Sequence, residues 1–99
     1  MAGKVGVTVI LPGMLHAVAG GARLRVEAGT LAEALEAAWA QVPALRLHLC
    51  EEDGRFRMHV LCFLNERNTR GLRSLDVPLC EGDEIAFVQA ISGGSGAAR

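Results

Sequence analysis

The 99 residues carry 10 basic and 11 acidic side chains, for a formal net charge of -1, and 51% of them are hydrophobic. That length fits one small domain, and the apolar content can fill its core. The near-neutral balance, with no basic run interleaved with aromatics, argues against a polyanion or nucleic-acid binder.

Residues 5–11, Val-Gly-Val-Thr-Val-Ile-Leu, are β-branched and apolar and predict a strand that Pro12-Gly13 ends. The stretch is too short to span a membrane and Lys4 precedes it without a signal-peptide pattern, so the expected compartment is the cytoplasm. Residues 14–18 suggest a short turn, broken by Gly20-Gly21. Residues 23–27 alternate polar and apolar and predict a second strand, joined to the first as a hairpin with a long loop.

Thr30-Leu31-Ala32-Glu33 is a capping box. The Thr30 oxygen is expected to accept from the Glu33 amide, with the Glu33 carboxylate reaching back to the Thr30 amide. Leu31, Leu35, Ala38 and Trp39 then share one face of a helix over 31–41, and Pro43 closes it. Leu35 and Trp39 are expected in the core. Residues 45–55 are ambiguous, because Leu45, Leu47 and Leu49 alternate as in a strand and also fit short helical turns. Residues 51–54 read as a polar turn and 58–64 as a strand. Asn65-Glu66 reads as a tight turn, 67–70 as a brief edge, 72–78 as irregular and 81–83 as a turn into the last strand, 84–89. The order implies an α+β domain, a mixed sheet over one helix.

Cys50, Cys62 and Cys80 are an odd count without CxxC spacing, which argues against a disulfide framework or a zinc site. Cys62 is expected in the core and Cys80 in an exposed turn. His48 and His59 are too isolated to suggest a metal site. No acid/base pair or nucleophile–base arrangement stands out, so the chain does not read as an enzyme.

The last strand runs directly into a double glycine, Phe87-Val88-Gln89-Ala90-Ile91-Ser92-Gly93-Gly94. Ile85 and Phe87 share one face, Ala86 and Val88 the other. Both faces are apolar. One packs on the helix, and the other is left as a patch of the kind that marks an interface. Two residues without Cβ let a tail thread a narrow channel in extended form. A carboxylate at Gly94 would be a substrate for activation by ATP, but Ser95-Gly96-Ala97-Ala98-Arg99 follows, and Gly94 carries an amide carbonyl instead.

Four segments stand out: Val26-Glu27-Ala28-Gly29-Thr30-Leu31-Ala32-Glu33-Ala34-Leu35, Phe63-Leu64-Asn65-Glu66, Pro78-Leu79-Cys80-Glu81-Gly82-Asp83-Glu84-Ile85 and Ile91-Ser92-Gly93-Gly94. In this order and placement they resemble the MoaD/ThiS family of ubiquitin-like sulfur carriers, over residues 5–94. The resemblance implies a β-grasp fold over residues 1–91, with the first and last strands parallel at the centre; the low-complexity stretch 92–99 is expected to be a flexible tail. Leu11-Pro12-Gly13-Met14-Leu15, then Gly20-Gly21, look more like the carrier of a cysteine-synthesis route than the molybdopterin synthase small subunit.

The resemblance also implies a course of events. A zinc-dependent JAMM-type metallopeptidase removes Ser95 to Arg99. An E1-like enzyme with ATP and magnesium adenylates Gly94. A sulfur donor displaces AMP, and the resulting thiocarboxylate serves a synthase. The carrier itself binds no cofactor. Gly93 and Gly94 form the sulfur-carrying end. Val88, Leu72 and Ile10 match the family's docking surface, though residues of this type also complete the core of a small domain. Two alternatives stand beside this reading: the molybdopterin synthase small subunit, and a β-grasp interaction module whose tail is never processed, which the five extra residues favour.

Overall fold

The computed structural model describes residues 3–89. β1 (Val5–Ile10) lies antiparallel to β2 (Arg23–Ala28), with Val5 opposite Ala28 and Ile10 opposite Arg23. The connection between them holds a short helix, α1 (His16–Ala19), which Gly20 ends in the left-handed region at φ 81°. A longer helix, α2 (Leu31–Gln41), has the limits expected from its capping box, and α3 (Ala44–Leu49) follows it. β3 (Val60–Leu64), β4 (Arg67–Asn68) and β5 (Glu84–Gln89) complete the sheet in the order β2-β1-β5-β3-β4. β1 and β5 are parallel neighbours at its centre, with Ile10 opposite Ala86, and β3 is antiparallel to β5. This is the β-grasp arrangement of an α+β fold.

The start of α2 is held from two directions. Thr30 Oγ1 accepts from the Glu33 amide at 3.2 Å, as expected. The Glu33 carboxylate, however, accepts from the Gly29 amide at 2.8 Å, not from that of Thr30. Thr30 is extended and bridged to Pro78, a geometry that brings the preceding amide into reach. Leu31 and Ala32 donate to the carbonyls of Val77 and Leu75 at 2.9 and 2.8 Å. The irregular 72–78 segment therefore caps the helix, satisfying amides that the helix itself leaves unpaired.

Leu31, Ala34, Leu35 and Ala38 of α2 belong to one buried cluster with Val7, Val9, Val26, Ala28, Ile85 and Phe87 of the sheet. Trp39 sits at the cluster's margin, half-buried, its ring centroid 6.1 Å from that of Phe87. The ambiguous leucines resolve as a helix: Leu45 and Leu49, one turn apart, are fully buried, whereas Leu47 is 69% exposed. A strand would have put all three on one face. β3 starts at Val60, not at residue 58, because the Val60 amide bonds back to the Arg57 carbonyl in a turn that leaves Met58 exposed. The brief edge shrinks to Arg67–Asn68, after which residues 69–71 tighten into a 3₁₀ turn.

Cys50 and Cys62 are buried, Cys80 is exposed, and all three thiols are free. Among the described residues no cluster of His, Cys, Asp or Glu suits a metal ion. No helix among them is long and apolar enough to cross a membrane.

Candidate docking surface

The turn before β5 sets what the sheet presents. Gly82 takes a left-handed conformation at φ 88°, open to glycine without strain. Its amide bonds the Gly6 carbonyl at 2.8 Å, and the Gly6 amide donates to the Glu81 carboxylate at 2.9 Å. On the other side, Asn65, at φ 56°, donates from its side chain to Asp83 at 3.2 Å and accepts from the Glu84 amide at 3.0 Å. The Asp83 carboxylate also accepts from the Cys80 amide at 2.8 Å. β5 is thus stapled to β1 and to the β3–β4 turn before its first residue.

With the register fixed, alternation sorts the side chains. Ile85 and Phe87 point into the core, so the opposite face holds Ala86 and Val88. Across that face Ala86 lies between Ile10 of β1 and Phe63 of β3, and Val88 lies opposite Leu61. None of these five belongs to the core cluster or packs against it. Val88 is 45% exposed. The result is a contiguous apolar patch on the sheet face away from α2, of the kind that proteins keep for partners.

Charges border it. Arg23, beside Ile10, approaches Glu84 at 3.8 Å, and Arg25 approaches Glu81 at 3.4 Å. Both pairs are exposed, and such pairs contribute at most about 1 kcal/mol, so either arginine can turn to a partner at small cost.

The structure brings Val88 and Ile10 together on this face and places Leu72 elsewhere. Leu72 packs against the core and lines a cleft with Leu35 and Trp39, on the helix side of the sheet. The 72–78 segment is drawn there by its carbonyl bonds to the start of α2. Leu61 and Phe63 belong to the patch and escaped the sequence reading. The alternation in Val60-Leu61-Cys62-Phe63-Leu64 was its signal, but the face it presents becomes clear only once β3 is paired with β5. Gly93 and Gly94 lie outside the described residues. β5 ends at Gln89, five residues before Gly94.

The buried thiols offer no nucleophile. Burial pushes the Cys62 thiol up to about 12, although a hydrogen bond with Thr69 acts the other way. Burial also raises Cys50, against the opposing pull of Arg46 and Arg57. Thiols held neutral in this way are poor nucleophiles at ordinary pH.

The ThiS family model matches residues 9–94. Among solved structures, the chain is similar to small archaeal modifier protein 1 (SAMP1) from Haloferax volcanii at 28% identity and TM-score 0.74, covering 90% of this chain and 99% of that one. It is similar to SAMP1 from Methanosarcina acetivorans at 25% identity and TM-score 0.77, covering 92% and 98%. It also shares its fold with the Amycolatopsis orientalis BexX/CysO complex structure, at 21% identity and TM-score 0.76, covering 89% of this chain and 99% of that one. No curated protein matches the sequence.

Proposed function

Because the chain belongs to the ThiS family, we propose that it is a protein co-substrate that carries sulfur as a thiocarboxylate on Gly94. The family is one of small carriers and not of catalysts. The observation that carries the reading is where the family match stops. It runs through Gly94 and leaves out Ser95 to Arg99.

The chemistry follows from the end group. A free carboxylate is a poor acyl electrophile. In the proposed course, a JAMM-type metallopeptidase hydrolyses the Gly94–Ser95 bond and frees that carboxylate. It attacks the α-phosphorus of ATP on an E1-like enzyme that holds magnesium, and pyrophosphate leaves. A sulfur nucleophile then adds to the acyl carbon, AMP departs with the bonding pair, and the thiocarboxylate remains. Val88, Ile10, Ala86, Leu61 and Phe63 cover the partner's apolar surface, and Gly93-Gly94 enters its channel. The sulfur acceptor in this reading is a synthase of cysteine or other sulfur-metabolite biosynthesis, the former supported by the loop Leu11-Pro12-Gly13-Met14-Leu15, and the setting is the cytoplasm. The Amycolatopsis orientalis CysO, which shares the fold, forms a complex with a partner protein, BexX.

A second reading is favoured by the likeness to two archaeal modifier proteins. The same activated Gly94 would then be attacked by an amine, which joins the chain to another protein by an amide bond. Intact mass of the protein from its native cells tests both. Loss of residues 95–99 with one oxygen replaced by sulfur is the expected result. A chain still ending at Arg99 in every fraction contradicts both readings and leaves the unprocessed module. Covalent adducts joined at Gly94, with no thiocarboxylate, favour the modifier.

A further inference from the structure

On the helix side of the sheet, remote from the apolar patch, lies a cleft of about 520 Å³ between α2, the loop after Cys50 and the segment after β4. Its floor is apolar: Leu35 and Trp39 from α2, Phe56 from the loop, Leu72 and Leu75 from the segment. Phe56 stands edge-on to Phe87 at 5.6 Å, which fixes one wall. Its charge is one-sided. Three arginines, Arg55, Arg70 and Arg73, line it and no carboxylate does, in a chain whose net charge is -1.

The polar groups differ in what they have left to offer. Arg55 is held by Asp53 at 2.9 Å. Arg70 donates to the Met58 carbonyl at 3.1 Å through one nitrogen and keeps its others. Arg73 makes no ion pair or side-chain hydrogen bond among the described residues. The one buried polar lining residue, Thr69, opens the 3₁₀ turn after β4. The cations with donors to spare, Arg70 and Arg73, stand with the segment that carries Leu72 and Leu75.

We propose that this cleft is a second docking site, which takes an acidic amphipathic segment of a partner protein. Apolar side chains of that segment fill the floor, and carboxylates beside them meet Arg70 and Arg73. An apolar groove with arginines beside it is the arrangement by which such segments are held, with the charges selecting the partner and its register. The chain's own last ten residues do not suit it, because they hold one arginine and no acidic side chain. Since the cleft and the patch lie on opposite sides of the sheet, one chain can hold both partners at once. The inference does not depend on the sulfur-carrier reading, which concerns the other face and the tail.

Random peptides displayed on phage, panned against the full-length chain, supply the probe. Synthetic copies of the enriched peptides are titrated through the fluorescence of Trp39, the chain's single tryptophan. Enrichment of sequences with carboxylates beside apolar residues is the expected result. Their affinity should fall at least about tenfold in Arg73→Glu, fall with added salt, and persist in Arg73→Lys and in Val88→Asp. Arg73 anchors nothing in the fold, so circular dichroism of Arg73→Glu should match the parent. No enrichment over bare support overturns the proposal, as do peptides that bind Arg73→Glu equally well or are lost in Val88→Asp. If no peptide is enriched and anilinonaphthalene sulfonate quenches Trp39, the cleft is a small-molecule site. If Arg73→Glu abolishes self-association in sedimentation, it is a dimer contact. Either result also overturns the proposal.

Discussion

Leu35 is 6% exposed and lies where α2 meets both the sheet and the cleft. Leu35→Ala should destabilise the domain by about 2–5 kcal/mol in urea unfolding, the cost of lost burial plus a cavity. A change under about 0.5 kcal/mol would place the apolar face of α2 wrongly. Cys62 gives a second test at this scale. Its folded value, about 12, lies above the ordinary 9.0, so the unfolded chain loses its proton first as pH rises. The stabilisation is complete below about pH 9 and is lost between there and about pH 12. Stability should therefore drop more steeply above pH 9 in the parent than in Cys62→Ala, measured as the midpoint of urea melts; parallel pH profiles would contradict the burial of that thiol. Cys62 and Leu35 were legible in the sequence because apolar runs and helical spacing report burial directly. Leu72 was not. Its position depends on carbonyls of residues 75 and 77 bonding a helix start more than 40 residues earlier in the chain, and no local pattern encodes that.

At the scale of elements, the strongest local signals gave the firmest limits. α2 begins and ends where its cap and Pro43 put it, whereas α3 needed the burial of Leu45 and Leu49 to separate it from a strand. Thr30→Ala removes the oxygen that accepts from Glu33 and should cost about 0.5–2 kcal/mol. Helix and sheet should still melt together, because Leu31 and Ala32 keep their bonds to residues 77 and 75. No measurable loss in a thermal melt would mean that the 72–78 segment alone caps the helix. β5 offers the sharper test. Val88 faces out beside Leu61, so Val88→Asp should alter fold stability by less than about 1 kcal/mol while weakening binding to an E1-like partner at least tenfold, since a carboxylate is costly in a dry interface and not in water. Equal losses of stability and binding would assign Val88 to the core.

For the whole molecule, strand order and one helix implied α+β, and the parallel pairing of β1 with β5 came from resemblance and not from periodicity. What the sequence could not display was the register: Gly82, Asn65 and Asp83 fix it through contacts between residues distant in the chain, and the register decides that Phe63 and Leu61 join Val88 on the open face. The double glycine was visible at once, and its meaning rests on chemistry the fold does not carry. The central claim is that Gly94 must be terminal to be activated. ATP–pyrophosphate exchange with the cognate activating enzyme tests it, comparing the 99-residue chain, the chain ending at Gly94, and that shorter chain with Gly93→Val. Exchange is expected for the chain ending at Gly94 alone, since the Gly94–Ser95 bond masks the carboxylate in the first and a β-branched side chain obstructs threading in the third. Efficient exchange by the full-length chain, with its mass unchanged, would contradict the need for trimming, and no exchange by the chain ending at Gly94 would contradict the carrier function itself.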